Sequence, residues 1–213
     1  GVALKVRRGT IHALIGPNGA GKTTCFNLLT KFLQPTAGTI RFKGKDITRM
    51  RPADIARQGL VRSFQISAVF PRLTALENVR IALQRQRGDN FDFWRPERVL
   101  ATYAAEAMAR LDDVGLTDVA DTPAGELPYG RKRALEIATT LALEPEMLLL
   151  DEPMAGMGRE DVSRISALIK RISANRTILM VEHNLSVVAD LSNRITVLAR
   201  GKVLAEGDYA DVS

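Results

Sequence analysis

The stretch Gly16-Pro17-Asn18-Gly19-Ala20-Gly21-Lys22-Thr23 satisfies the pattern G-x-x-x-x-G-K-[ST]. Glycines at 16, 19 and 21 allow backbone angles closed to other residues, so that successive N–H groups can turn toward one anion. An apolar strand-like segment, His12–Ile15, leads in, and a helical pattern leads out from Lys22. A helix starting there adds the positive end of its dipole. Lys22 is expected to reach the β- and γ-phosphates of ATP, Thr23 to ligate Mg²⁺ through its hydroxyl, and Thr24 to add a phosphate contact. Gly16–Thr24 is thus the expected ATP-binding loop, and it imposes a strand–loop–helix unit on the fold.

The rest of the chain continues that alternation. Val2–Val6 and Thr10–Ile15 read as strands joined by a turn at Arg7–Gly9. A helix over Lys22–Phe32 stops before Pro35, and Thr39–Phe42 reads as a strand. A short helix at Pro52–Gln58 and a strand at Leu60–Phe64 follow. From about 66 to 130 the pattern changes: Leu76–Leu83 and Val99–Leu111 have helical spacing, separated by a stretch holding Phe91, Phe93 and Trp94. Helices at Arg131–Leu143, Asp161–Ile172 and Leu185–Leu191 then alternate with strands at Met147–Leu150, Arg176–Val181 and Ile195–Leu198. The expected fold is an α/β P-loop NTPase. It has a mainly parallel core sheet, an N-terminal antiparallel β portion and an inserted helical subdomain. Residues 1–65 and 131–213 form the expected ATP-binding core, and 66–130 the insertion.

A P-loop needs an acid on a neighbouring strand to hold Mg²⁺. Met147-Leu148-Leu149-Leu150-Asp151 is an apolar strand with a carboxylate at its C-terminal end, where open α/β sheets place ligands. Glu152 follows and points elsewhere. Asp151 is therefore the expected metal ligand and Glu152 the expected general base toward the attacking water. His12, inside the entering strand, reads as a core or turn residue and not a catalytic one, Cys25 as a buried helix residue and Trp94 as a packing residue of the insertion.

Composition narrows the class further. The formal net charge of +6 suits polyanions without choosing among them. A single cysteine rules out an intramolecular disulfide framework. No apolar run approaches the ~18–20 residues that span a bilayer.

Taken together, the chain resembles the ATPases of ABC transporters. The resemblance is carried by Gly16–Thr24, Gln65 in Arg62-Ser63-Phe64-Gln65, Leu127-Pro128-Tyr129-Gly130-Arg131, Leu149–Pro153, and His183 in Val181-Glu182-His183-Asn184, in the family's order. It implies that Gln65 senses the γ-phosphate and Mg²⁺, that His183 contacts the γ-phosphate, and that Leu127–Arg131 is the signature loop reaching ATP held by a second ATPase subunit. Phe26–Thr30, Phe70–Thr74 with Glu77-Asn78-Val79, Leu135–Ala138 and Phe93-Trp94-Arg95 are similar to the LivG-type ATPases of branched-chain (hydrophobic) amino acid importers. The implied partners are transmembrane permease subunits, a second ATPase subunit in a homo- or heterodimer and, indirectly, a periplasmic or extracellular binding protein. No nucleic acid is expected. The implied location is peripheral, on the cytoplasmic face of the cell membrane.

Three positions depart from the family pattern. Pro128 stands in place of a serine, Arg131 in place of a glutamine, and Gly158 where an Asp or Asn is usual. Proline lacks both a hydroxyl and an N–H, so one composite site is expected to be weaker unless a partner ATPase compensates. Arg131 either restores positive charge toward phosphate or faces solvent. The family's adenine-stacking aromatic and its C-terminal helix have no counterpart here, which leads to the expectation of a trimmed chain. The alternatives are the ATPase of another ABC system, for lipopolysaccharide export or urea import, and a soluble ABC ATPase acting on nucleic acid or ribosomes.

Overall fold

A computed structural model describes residues 1–63, 69–87 and 97–212. Two compact units emerge. One comprises Gly1–Arg62, Pro145–Ala155 and Ser166–Ser213; the other comprises Ser63–Glu144 and Gly156–Ile165.

The first unit is built on a six-stranded sheet. Its strands are β1 (Ile11–Ile15), β4 (Leu60–Ser63), β5 (Met147–Asp151), β6 (Thr177–Val181), β7 (Arg194–Ala199) and β8 (Lys202–Gly207), in the spatial order β4-β5-β6-β1-β7-β8. Strand β1 pairs in parallel with β6 and β7, β5 pairs in parallel with β6, and β8 returns antiparallel on β7. Strands β5 and β6 are buried at every position, as their continuous apolar runs require when both faces are covered. The core gathers Leu14, Phe26, Ile47, Ile55, Leu149 and Leu198 among others. A two-stranded antiparallel ribbon, β2 (Arg41–Phe42) with β3 (Lys45–Asp46), stands apart from this sheet.

Local departures from the sequence expectation have physical causes. Val2–Val6 forms no strand. Leu4 and Val6 pack onto the core without entering a ladder, which produces the same period of two. Helix α1 (Lys22–Leu29) ends three residues early, because Lys31 adopts φ 64° and breaks the helical path. Short helix α2 (Pro52–Arg57) opens with proline in its first turn, where the missing N–H costs nothing.

The second unit packs α3 (Ala75–Arg87) against α4 (Glu97–Asp113) and α5 (Tyr129–Leu141). Tyr103, Leu83, Leu111, Leu116, Leu135, Ile137 and Leu141 are its largest fully buried side chains among the described residues. Asn78 is buried there and holds the chain leading into α3: its side-chain oxygen accepts from the Phe70 N–H at 2.6 Å, and its amide donates to the Thr74 carbonyl at 2.9 Å. Helix α5 starts at Tyr129 rather than Arg131, with Pro128 as the extended residue before it. Helices α6 (Arg159–Ser173) and α7 (Leu185–Leu191) and the terminal turn α8 (Tyr209–Val212) complete the order. Among the described residues no helix is long and apolar enough to cross a membrane.

Candidate active site

Parallel strands deliver their C-terminal ends to one edge of the sheet. The register places Asp151 opposite Val181 and Val181 opposite Leu14, a single row across β5, β6 and β1. With ~4.8 Å between strands, that row sets the acid about 10 Å from the strand that feeds the glycine loop. Gly16, Glu152, Glu182 and His183 all follow within two residues of the row.

The loop after β1 is shaped as its glycines demand. Gly16 has φ 146°, and a Cβ there would stand 2.1 Å from the Leu198 carbonyl oxygen on β7. Gly19 and Gly21 have φ 77° and 104°. Lys22 is buried, and its ammonium donates to the carbonyls of Gly16 at 2.7 Å and Pro17 at 3.1 Å, inside the curl of the loop. The Ala20 carbonyl accepts from the Gly201 N–H at 2.9 Å, so the β7–β8 turn buttresses the loop. Thr23 and Thr24 are exposed at the head of α1. Burial pushes the Cys25 thiol up to about 11, so it stays protonated and is no nucleophile.

Asp151 is buried at the end of β5 and accepts a hydrogen bond from Arg62 of β4. The same guanidinium donates to Asn27 Oδ1 at 2.6 Å and lies 5.5 Å over the Phe26 ring. Arg62 thereby ties the acid to the helix behind the glycine loop. Its carboxylate partner lies 89 residues away in the sequence, a pairing that no local pattern reveals.

Beyond Asp151 the chain turns sharply. Glu152 has φ 45°, a left-handed conformation that costs a non-glycine residue about 1–3 kcal/mol and concentrates at functional sites. Its N–H donates to the Val181 carbonyl at 2.9 Å. Its carboxylate meets His183 Nε2 at 2.8 Å, with the imidazole donating. Both side chains are partly exposed, so water can reach the pair. The structure thus brings together Glu152 and His183, 31 residues apart, and lines them up at the sheet edge with the glycine loop and Asp151.

Leu127, Pro128, Tyr129, Gly130 and Arg131 belong to the helical unit. Leu127 is buried, Tyr129 is 57% exposed, and Pro128 supplies only its carbonyl, to the Lys132 N–H at 2.9 Å. Gly130 leaves no room for a side chain, since a Cβ would lie 2.4 Å from Asp161 Cγ. The Arg131 guanidinium pairs with Asp118 of the same unit at 2.7 Å. Gln65 lies outside the described residues, as do Phe91, Phe93 and Trp94. His12 is a core residue, with Nε2 at 2.8 Å from Thr196 Oγ1.

Comparisons with known proteins identify the family. The family model described as ABC transporter matches residues 1–155. The chain is 42% identical over 217 residues to the high-affinity branched-chain amino acid transport ATP-binding protein BraF of Pseudomonas aeruginosa, covering 97% of this chain and 84% of that protein. It is 38% identical over 218 residues to the corresponding protein LivG of Salmonella typhimurium, covering 99% and 86%. Among solved structures, a nucleotide-free ATP-binding cassette from an ABC transporter superposes with a TM-score of 0.84 at 31% identity, covering 98% of this chain and 84% of that one. With a family match over most of its length and the strand–loop–helix site described above, the chain belongs to the ABC transporter family and is one of its ATP-hydrolysing, ATP-binding subunits.

Proposed function

We propose that this ATPase energises an importer of branched-chain or other hydrophobic amino acids. The observation that carries the reading is the 42% identity to BraF along nearly the whole chain. ATP would be gripped at Gly16–Thr24, with Lys22 turning from the Gly16 and Pro17 carbonyls to the β- and γ-phosphates. Thr23 and Asp151 offer a hydroxyl and a carboxylate, hard oxygen donors of the kind Mg²⁺ takes. Mg²⁺ at these residues, with Gln65 as a further ligand, would offset the phosphate charge. Glu152 takes the proton of the attacking water, and His183 orients Glu152 and contacts the γ-phosphate.

Partner requirements follow from the same reading. Two ATPase subunits close over two nucleotides, with Leu127–Arg131 of each subunit reaching the nucleotide of the other. Pro128 offers neither hydroxyl nor N–H there, and Arg131 is engaged by Asp118, so a composite site using this loop hydrolyses slowly. A second ATPase with a serine-bearing loop completes the faster site. The pair docks on permease subunits at the cytoplasmic face of the membrane, with a binding protein delivering the substrate from outside.

Reconstitution in lipid with a partner ATPase and permease subunits tests this. Turnover should rise at least several-fold when a binding protein loaded with a branched-chain amino acid is added. Stimulation by nucleic acid or ribosomes, with none from permeases, would contradict the transport role and leave the ATPase intact.

A further inference from the structure

Glu182 sits in the row of residues just beyond the sheet and is 4% exposed. Both of its carboxylate oxygens are committed to backbone. Oε1 accepts from the Met154 N–H at 2.9 Å; Oε2 accepts from the His183 N–H at 3.0 Å and, more weakly, from the Asn184 N–H at 3.4 Å. Met154 is two residues after Glu152, and His183 is the residue after Glu182. One carboxylate therefore clamps the turn that presents Glu152 to the turn that presents His183.

Strand pairing cannot do this job. The β5–β6 ladder ends at the Asp151–Val181 pair, and the last backbone link is the Glu152 N–H to the Val181 carbonyl. Past that point both chains leave the sheet, and their N–H groups need an acceptor from elsewhere. A carboxylate is suited to this because it only accepts and offers two oxygens. An amide of the same shape would turn an NH₂ group toward one of these N–H donors. Asn184 continues the brace: its side chain accepts from Ser186 and Val187 and caps α7.

We infer that Glu182 is a positioning residue for hydrolysis, holding Glu152 and His183 in register without touching nucleotide. The inference rests on the proposed roles of Glu152 and His183. It predicts a split between binding and turnover, since the P-loop is built from other residues.

The test compares Glu182→Gln with Glu152→Gln and the parent chain in ATP turnover, ATP affinity and amide hydrogen exchange. Glu182→Gln should lose at least tenfold in kcat, keep ATP affinity within about threefold, and speed exchange at Met154 and His183. Glu182→Asp, which keeps the acceptors but shortens the reach, should recover part of kcat and serves if the Gln variant does not fold. Parental kcat in Glu182→Gln, alongside a dead Glu152→Gln, would overturn the positioning role alone. Equal losses of affinity and kcat would make Glu182 a general structural residue and overturn it too. Full turnover in Glu152→Gln would remove the base assignment and this inference with it.

Discussion

His183 donates Nε2–H to the Glu152 carboxylate at 2.8 Å, across the ends of two adjacent strands and from a backbone that holds Glu152 at φ 45°. A hydrogen bond to a charged group is worth about 1.5–3 kcal/mol. His183→Ala should therefore cut kcat by roughly ten- to a hundredfold, with a smaller effect on ATP affinity. Steady-state kinetics beside an equilibrium titration separates the two.

Arg62 and Asp151 form a pair that is nearly inaccessible on both sides, with side chains 10% and 5% exposed. Removing one partner of such a buried pair costs about 3–5 kcal/mol. Arg62→Met should lower chemical stability by that order, and Mg²⁺ with nucleotide should restore part of it by supplying a new positive partner to Asp151. Urea unfolding with and without MgADP reads both effects. An unchanged midpoint would show that the pair holds nothing together.

Lys31 carries two burdens. Its backbone is left-handed at φ 64°, and its buried ammonium has no hydrogen-bond partner among the described residues. Burial pushes its pKa down, with Asp46 acting the other way. Glycine removes the backbone strain of ~1–2 kcal/mol and the buried amine, while adding ~0.5–1 kcal/mol of chain entropy to lose. Lys31→Gly should thus raise stability by about 1 kcal/mol, or about 2–4 °C in Tm for a chain of this size.

These two sites also show what local pattern could and could not reveal. The glycine loop, the apolar strands β5 and β6 and the Asp151–Glu152 step were legible because each is written in consecutive residues. Strand β8 was not, because its apolar run is only Val203–Ala205 and its first four residues alternate between exposed and half-buried at a sheet edge. The N-terminal Val2–Val6 stretch misled in the opposite sense, since packing of Leu4 and Val6 copies a strand's alternation. Arg62 and Glu182 escaped notice because their partners are set by the strand order β4-β5-β6-β1, a non-local property. Helix α5 began earlier than expected because Pro128, read as a break in a motif, is the residue that starts it.

His12 ties pH to stability. Burial lowers its pKa from 6.5; Glu206 opposes the shift and Arg194 adds to it. The unfolded chain therefore takes up this proton at a higher pH than the folded one. Stability should be full above the unfolded value of 6.5 and fall as pH drops below it, levelling off below the lower folded pKa. Urea midpoints from pH 8 to pH 5 should fall more steeply in the parent than in His12→Gln.

The most direct measurement of the central claim is an ATP titration of the parent chain against Lys22→Ala. Lys22 sits inside the curl of the glycine loop, bonded to the Gly16 and Pro17 carbonyls. Losing its charge-assisted bonds to phosphate should cost about 1.5–3 kcal/mol, a ten- to hundredfold weaker Kd, with the fold intact by circular dichroism. Equal affinity in the two proteins would contradict the assignment of Gly16–Thr24 as the site that grips ATP.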